Sequence, residues 1–156
     1  MKLRILAIGH RMPGWIEAGV NEYARRMPAD ASLELIELKP EKRAAGASTG
    51  RVQKLEAERI RATLPPKALL IALDEQGRQV TTAELAQYLA RWMQEGANPC
   101  FVIGGADGLD AALRDRADLL LGLSRLTLPH GLARVILAEQ LYRAVSLLKG
   151  HPYHRE

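Results

Sequence analysis

The chain has 156 residues, of which 47% are hydrophobic and 26% are charged, and its single cysteine is Cys100. This length predicts one domain, and the composition excludes both a largely disordered chain and a disulfide framework. No apolar run reaches the ~18 residues of a membrane span and no apolar leader follows Met1, so we expect a cytoplasmic protein.

The net charge of +4 is unevenly distributed along the chain. Basic residues outnumber acidic ones in residues 1–66 and 131–156, but not in residues 67–130. This balance is compatible with a polyanionic partner and equally with an ordinary solvated surface.

The first half of the chain predicts two strands, each followed by a loop and a helix. Apolar residues dominate residues 3–9, which predict a central strand, and helical spacing follows over residues 15–27. A second strand is predicted over residues 33–38. The basic loop, residues 41–50, is small, polar and positively charged. A helix is predicted over residues 52–64, and its mixed charges, which include Glu56, are interpreted as a solvated face.

The second half is predicted to continue this alternation. Its elements are a strand over residues 68–74 with a polar turn at 75–77, a helix from Thr81 or Thr82 to about residue 95, a strand over 101–103, a helix over 109–117, a strand over 119–123 and a helix over 132–149 with one apolar side. We therefore predict an α/β fold in which a mostly parallel sheet has helices on both faces.

Three glycines in five residues follow the predicted strand at residues 101–103. Glycine permits backbone angles that other residues avoid, so this glycine loop, Gly104-Gly105-Ala106-Asp107-Gly108, allows a ligand to approach the main chain closely. Ligands of open α/β sheets bind at the carboxyl ends of parallel strands, where the loop is expected to lie. The wall segment, residues 123–130, is predicted to form the other side of that site.

Three familiar site types are not supported by the residues present. The glycine loop lacks the Gly-Lys-Ser/Thr end of a Walker A loop and the third glycine of a dinucleotide fingerprint. His151 and His154 have a ligand-like spacing, but no cysteine pair or fixed acidic partner accompanies them, so no metal site is predicted. Cys100 leads into an apolar strand and is interpreted as an inert core residue.

Two acidic pairs follow predicted strands and carry groups suited to acid–base chemistry. They are Asp107 with Asp110 and Asp74 with Glu75. Such pairs beside loops are also typical of a solvated surface, and both interpretations stay open.

Several motifs in a fixed order carry a resemblance to a known family. They are Met12-Pro13-Gly14-Trp15, Ile103-Gly104-Gly105 with Asp107-Gly108, the run from Leu123 to His130, Glu139-Gln140-Leu141-Tyr142-Arg143-Ala144, and the tail, His151-Pro152-Tyr153-His154-Arg155-Glu156. With these motifs the chain resembles the ribosomal large-subunit methyltransferase H family of the SPOUT superfamily. The resemblance covers the whole chain, and the tail is its most specific part.

The resemblance implies one SPOUT domain over residues 1–156, with a C-terminal trefoil knot, that forms a homodimer. It implies an enzyme that uses S-adenosylmethionine, without a metal, to methylate N3 of a pseudouridine. The target nucleotide would lie in the helix 69 loop of bacterial 23S ribosomal RNA, in the assembled ribosome. The knot and the cofactor site would occupy residues 68–150, and the tail would belong to the active site.

The resemblance implies that the cofactor is bound by Leu73, Gly104, Gly105, Leu123, Ser124, Arg125, Leu126, Thr127 and Leu128. The chemistry adds a hypothesis for the tail, of the same subunit or of the partner: His154 acts as base or proton relay, Arg155 holds a phosphate or an enolate oxygen, and Tyr153 stacks on a base. The basic residues that we choose as candidates for RNA binding are Arg11, Lys42, Arg43, Arg51, Arg134 and Arg143. For Arg134 and Arg143, which lie on a predicted helix, ion pairing is the alternative.

One departure from the family pattern concerns the pair after the two glycines. Family members commonly have Pro-Glu there, whereas this chain has Ala106-Asp107. If the Glu orients the donor or the base, the shorter Asp puts that role in doubt. If the Glu caps the next helix, Asp serves equally well, and we favour this second interpretation.

Two alternative functions are compatible with the same residues. One is a SPOUT methyltransferase that acts on transfer RNA, because the motifs specify the donor better than the acceptor. The other is a dimeric nucleotide-binding or ribosome-binding protein without catalytic activity. Binding of S-adenosylmethionine distinguishes the second alternative from an enzyme.

Overall fold

Strands and helices alternate along the chain, as the spacing of its apolar residues predicts. A computed structural model describes residues 1–43 and 46–155, the last two through their backbone alone. Its elements are β1 (Lys2–Ile8), α1 (Gly14–Ala24), β2 (Ser32–Leu38), α2 (Thr49–Thr63), β3 (Ala68–Gln79), α3 (Thr82–Glu95), β4 (Asn98–Ile103), α4 (Ala111–Arg116), β5 (Leu119–Gly122) and α5 (His130–Leu148), with 3₁₀ turns at Ala29–Ala31 and Pro152–Arg155.

The five strands form one sheet in the order β2-β1-β4-β3-β5. Every pairing between these strands in the described residues is parallel, which confirms the predicted sheet. Strand β4 lies at the centre, and its residues 99–103 are all buried. A strand covered on both faces needs apolar side chains throughout, which explains the uninterrupted run before the glycine loop.

Helices cover both faces of the sheet, as predicted. On one face Leu3 and Ile5 of β1 belong to a core that includes side chains of α1, α3 and α5. On the other face Leu6 of β1 and Val102 of β4 pack with side chains of α2 and α4. Alternate residues of β1 thus point into two separate cores, which is the period of a strand.

Helix caps set where two of the predicted helices begin. The Thr81 hydroxyl accepts from the Glu84 N–H at 3.1 Å while Glu84 accepts from the Thr81 N–H at 3.1 Å, a reciprocal capping box that confirms one predicted cap. Helix α2 begins three residues earlier than predicted, because the Ser48 hydroxyl accepts from the Arg51 N–H at 3.2 Å.

Strand β3 differs from the prediction, because it continues through the expected turn at residues 75–77. Leu121 of β5 pairs with Leu73 and, after a register shift, also with Arg78, so the residues between them bulge from the ladder. Gly77 lies so close to β5 that an added Cβ would be 2.6 Å from the Leu121 carbonyl carbon. Pairing with β5 on both sides of the bulge therefore keeps this polar segment in the sheet.

Helix α5 also differs from the prediction of a single apolar side. The side predicted to be apolar consists of Leu132, Val135, Ala138, Leu141, Tyr142, Val145 and Leu148. Ala133 and Leu137 lie outside this set and are buried, whereas Leu148, which belongs to it, is 40% exposed. The helix contacts α1 and α3 as well as β4, so its flanks are covered together with its inner side. Neighbouring helices, and not the sheet alone, decide which residues of α5 are buried.

Arg134 lies in this helix with its side chain only 1% exposed. Its Nη1 donates to Glu37 Oε2 at 2.6 Å and its Nη2 donates to the carbonyl oxygen of Gly9 at 2.9 Å. These bonds tie the first turns of α5 to the carboxyl ends of β1 and β2. For Arg134 the ion-pair alternative is therefore confirmed and the RNA contact is wrong, because its guanidinium is buried and engaged within the fold.

The two members of this ion pair are expected to respond unequally to substitution, because Glu37 is 40% exposed and Arg134 is buried. Glu37→Ala removes the carboxylate partner of the buried guanidinium and leaves it only the Gly9 carbonyl, which costs about 3–5 kcal/mol of unfolding free energy. Arg134→Met leaves a carboxylate that water can solvate and one carbonyl without a partner, so we expect a loss of about 1–3 kcal/mol.

Urea denaturation of both variants and of the double variant measures these losses. The double variant is expected to be no less stable than Arg134→Met, because the buried charge is then gone. Additive losses in the double variant would contradict the assignment of a coupled ion pair.

Candidate functional site

A cavity of about 590 Å³ lies at the carboxyl ends of β3, β4 and β5. Its volume is within the range of small-molecule sites, and its position is the usual one for ligands of a parallel sheet. Most lining residues come from three segments: residues 73–76 at the bulge of β3, the glycine loop, and the wall segment. The others are Gln53 of α2, Ile103 of β4, Leu109, Arg114 of α4, Leu121 of β5 and Ala133 of α5.

The glycine loop folds back on its own backbone. A Cβ added to Gly104 would be 2.8 Å from the carbonyl carbon of Gly108, and the Gly108 N–H donates to the Gly105 carbonyl at 3.0 Å. Gly108 has a φ of +78°, in the left-handed region that favours glycine. Because Gly104 and Gly105 have no side chains, they line the cavity with main-chain atoms.

The wall segment forms the opposite side of the cavity, and its residues 123–129 have no regular secondary structure. Its turn is held by the Ser124 hydroxyl, which accepts from the Leu126 N–H at 2.9 Å. Every predicted cofactor residue except Arg125 lines the cavity. Arg125 is exposed and does not line the cavity, whereas Leu126 lines it although its side chain is 77% exposed.

Charged side chains lie on one side of the cavity, around Asp74 and Arg114. Arg114 Nη1 donates to Asp74 Oδ2 at 3.2 Å, and the Gln76 N–H donates to Asp74 Oδ1 at 2.8 Å. Arg114 Nε is buried and has no hydrogen-bond partner in the described residues. Asp74 is thus held in place by two donors, an arrangement that the sequence alone does not reveal.

The structure distinguishes the two members of the other acidic pair. Asp110 caps α4, because its carboxylate accepts from the Ala112 N–H at 3.2 Å. Asp107 instead pairs with the Arg43 guanidinium, while its main-chain carbonyl accepts from Gln53 Nε2 at 2.6 Å. The expectation that the residue at 107 caps the following helix is therefore wrong, because Asp110 fills that position.

Part of the basic loop lies against the glycine loop through this Arg43–Asp107 ion pair. Lys42 and Arg51 are exposed, as an RNA contact requires, and Arg11 is exposed in the loop after β1. Ala44 and Ala45, which belong to the predicted basic loop, lie outside the described residues.

Glu56 is a buried carboxyl beside the glycine loop that the sequence analysis interpreted as part of a solvated helix face. Its Oε2 accepts from the Glu41 N–H at 3.1 Å, and a Cβ added to Gly105 would be 3.3 Å from its Oε1. Burial raises the pKa of Glu56, and the neighbouring Asp107 carboxylate raises it further. The helical spacing with Val52 and Ile60, both buried, was the sequence signal that Glu56 shares their side of α2.

His130 is the last residue of the predicted wall segment. It is the first residue of α5 and lines the cavity. Burial lowers the pKa of its imidazole, and the nearby positive charge of Arg134 lowers it further, so both causes favour the neutral form.

The described part of the tail packs on α5, away from the N-terminal end of that helix. Tyr153 donates its hydroxyl hydrogen to Glu139 Oε1 at 3.1 Å, its ring centroid is 4.6 Å from that of Tyr142, and the Arg143 guanidinium lies 4.9 Å from it. The ring and hydroxyl of Tyr153 thus contact α5, and its stacking on a base stays a prediction. The side chains of His154 and Arg155 lie outside the described residues.

Arg143, another predicted RNA contact, belongs to the same cluster. Its Nε donates to Glu139 Oε1 at 2.8 Å, and its side chain is only 22% exposed. We therefore assign Arg143 to the packing of the tail and not to an open RNA surface.

Two further classes of site can be assessed over residues 1–43 and 46–153. No group of three or more His, Cys, Asp or Glu side chains there is arranged to hold a metal ion. Among the described helices, none has the length and apolarity that crossing a membrane requires. Cys100 is buried, and burial raises the pKa of its thiol, in agreement with an inert core residue.

Comparison with known proteins gives matches over nearly the whole chain. Residues 1–154 match the family model described as "Predicted SPOUT methyltransferase". The protein named "Ribosomal RNA large subunit methyltransferase H" of Thiobacillus denitrificans is 60% identical over 156 residues, which are 100% of both chains. The protein of the same name from Nitrosospira multiformis is 57% identical over 155 residues, 99% of both chains.

Two solved structures share the fold at low sequence identity. A probable methyltransferase from Bordetella pertussis has a TM-score of 0.60 and 19% identity over 92% of this chain and 95% of its own. A probable methylase family protein from Haemophilus influenzae has a TM-score of 0.58 and 16% identity over 97% of this chain and 69% of its own. The five-stranded parallel sheet with its helices is a SPOUT methyltransferase fold, and the chain belongs to the SPOUT methyltransferase family and, within it, to the ribosomal RNA large subunit methyltransferase H family.

Proposed function

We propose that this protein transfers a methyl group from S-adenosylmethionine to N3 of a pseudouridine in the helix 69 loop of 23S ribosomal RNA. It would act in the cytoplasm on the assembled ribosome, as a homodimer with a knotted C-terminal region. The observation that carries the proposal is the cavity between the glycine loop and the wall segment. Relatives at 57–60% identity named for methylation of large-subunit ribosomal RNA support the class of acceptor.

The residues around the cavity fit the proposed donor. Leu73, Ile103 and Leu128 offer apolar contact to an adenine ring, and the glycine loop offers main-chain groups to its polar edge. Asp74 and Arg114 offer a carboxylate and a guanidinium to the charged amino-acid end of the donor. The unpartnered Arg114 Nε marks a guanidinium whose hydrogen bonding is incomplete without a ligand.

The reaction requires the acceptor ring to lose a proton at N3. The donor supplies a methyl group that its positively charged sulfur already activates, so the protein has to handle the proton and the charge of the ring. We assign the proton at N3 to His154, as base or relay. Arg155 would stabilise the negative charge that develops on a ring oxygen.

The position of Tyr153 supports a tail that serves a second copy of the chain. Tyr153 is bonded to Glu139, nine residues after His130 in α5. Nine residues span about 13 Å of helix axis, so the tail is attached well away from the end of α5 that lines the cavity. We therefore propose that His154 and Arg155 act at the cavity of the partner subunit.

RNA binding is proposed for the exposed cations near the cavity. Lys42 precedes Arg43 and Arg51 lies in α2 near Gln53, and both Arg43 and Gln53 contact Asp107 of the glycine loop. Arg11 lies in the loop after β1. Arg43 would exchange Asp107 for an RNA phosphate. A chain of this size without a separate RNA-binding domain is expected to recognise RNA by shape in the assembled ribosome.

Methyl transfer from labelled S-adenosylmethionine to three acceptors tests the proposal. The acceptors are ribosomes that lack this methyl group, the same ribosomes without the pseudouridine, and bulk transfer RNA. We expect label on the first alone, because the proposed site takes one modified base in one ribosomal context. Label on transfer RNA alone would overturn the proposal of a ribosomal acceptor. The absence of label on all three acceptors would contradict the proposed methyltransferase activity.

Deletion of residues 154–156 tests the role of the tail. We expect methyl transfer to be lost while calorimetric binding of S-adenosylmethionine is unchanged, because the cavity is formed by other segments. The full chain is the control. Transfer at the full rate after the deletion would show that His154 and Arg155 are not catalytic.

A further inference from the structure

Glu139 is the centre of a hydrogen-bond cluster that joins the tail to α5. Its Oε1 accepts from the Tyr153 hydroxyl at 3.1 Å and from Arg143 Nε at 2.8 Å. Its Oε2 accepts from Gln140 Nε2 at 2.7 Å. Three donors from two separate segments thus meet on one partly buried carboxylate, which fixes its orientation.

Aromatic and cationic side chains enclose the Tyr153 ring. Tyr142 contacts it at a centroid separation of 4.6 Å, and Tyr142 is in turn 6.2 Å from Tyr23 of α1. The Arg26 guanidinium lies 6.0 Å from the Tyr142 ring. The cluster therefore connects the tail with both α1 and α5, the two helices that pack together on this face.

The surroundings of Tyr153 keep its hydroxyl a hydrogen-bond donor. Partial burial raises the pKa of its phenol, and hydrogen bonding to Tyr23 and the negative charge of Glu139 raise it further. The phenol therefore stays protonated at neutral pH. A protonated hydroxyl is what the carboxylate of Glu139 needs as a partner.

The last residues of a chain are ordinarily poorly ordered, but here Tyr153 is bonded to α5 directly before the proposed catalytic residues His154 and Arg155. We propose that Glu139, Arg143 and Tyr153 form a tail anchor, a set of positioning residues that fixes the point from which His154 and Arg155 extend into the partner's cavity. This inference rests on the proposed function. The anchor does not touch the reacting atoms, so it acts only by setting where the last residues begin.

The anchor is expected to matter for rate more than for stability. Misplacing a catalytic group by about 1 Å can cost on the order of 10²-fold in rate. Tyr153→Phe and Glu139→Gln keep the size of each side chain while they remove or weaken the bond between hydroxyl and carboxylate. We expect both variants to lower methyl transfer by about 10²-fold, with unchanged calorimetric donor binding and an unchanged melting temperature.

The combined variant and a matched control sharpen this measurement. Both substitutions act on the same bond, so Tyr153→Phe with Glu139→Gln should be no slower than the slower single variant. Lys149→Met is the control, because it breaks an ion pair to Asp30 at 2.6 Å at the end of α5 without contacting the anchor. Its transfer rate should equal that of the unaltered protein.

Mixed dimers separate positioning from a general structural effect. Ser124→Trp fills the cavity of one subunit, so in a dimer with an unaltered subunit only the unaltered cavity works, and it receives the tail of the Ser124→Trp subunit. We expect Glu139→Gln to slow this dimer when it is in the Ser124→Trp subunit, and to have no effect in the other. A purely structural role for Glu139 would give the same loss in either subunit and would overturn the inference.

The same set of variants distinguishes failure of the anchor from failure of the proposed function. If deletion of residues 154–156 abolishes transfer but Tyr153→Phe and Glu139→Gln retain the full rate, the proposal of a tail anchor is wrong. The proposed catalytic role of His154 and Arg155 is then unaffected. If the deletion retains transfer, the proposed function of the tail fails, and the anchor fails with it.

Discussion

The site depends on a crowded backbone contact between Gly104 and Gly108. The glycine loop has to return on itself at the end of the central strand, and no side chain at 104 would fit there. That return leaves main-chain groups facing the cavity, between the bulged end of β3 and the wall segment. Arg134, buried and bonded to the end of β1, holds the start of α5 where it closes the same cavity. The contact between Gly104 and Gly108 and the bonds of Arg134 thus place the glycine loop and the start of α5 at the same edge of the sheet.

Much of the fold could be predicted from the sequence, because the burial of most strands and the starts of some helices follow from local sequence patterns. Strands covered on both faces, such as β4, are continuous apolar runs, and a cap such as Thr81 fixes a helix start locally. The bulge in β3 could not be predicted, since residues 75–77 have the composition of a turn and only pairing with β5 on both sides keeps them in the sheet. The burial of α5 on its flanks likewise depends on neighbours, α1 and α3, that a helical period does not describe.

The site was predicted well where glycine and apolar residues form it and poorly where charged residues do. The glycine loop and most of the wall segment line the cavity as expected. For Arg134 and Arg143 the sequence left a choice between an RNA contact and an ion pair, and both form ion pairs, Arg134 with the distant Glu37 and Arg143 with Glu139 one helical turn away. Glu56 was interpreted as an exposed charge, although it is buried and accepts from the Glu41 N–H. Whether a charged residue is buried depends on the partners that neutralise it, and these partners cannot be identified from the sequence when they are far along the chain. Arg43 and Asp107, for example, are 64 residues apart. Tyr153 belongs with these, since its contacts with Glu139 and Tyr142 point to support of the tail.

A crystal structure of the protein with S-adenosylhomocysteine tests the central claim most directly. The ligand is the demethylated form of the proposed donor and needs no acceptor to bind. We predict that it lies in the cavity between the glycine loop and the wall segment, with its amino-acid end near Asp74 and Arg114. A ligand ordered at another surface, with this cavity empty, would contradict the account.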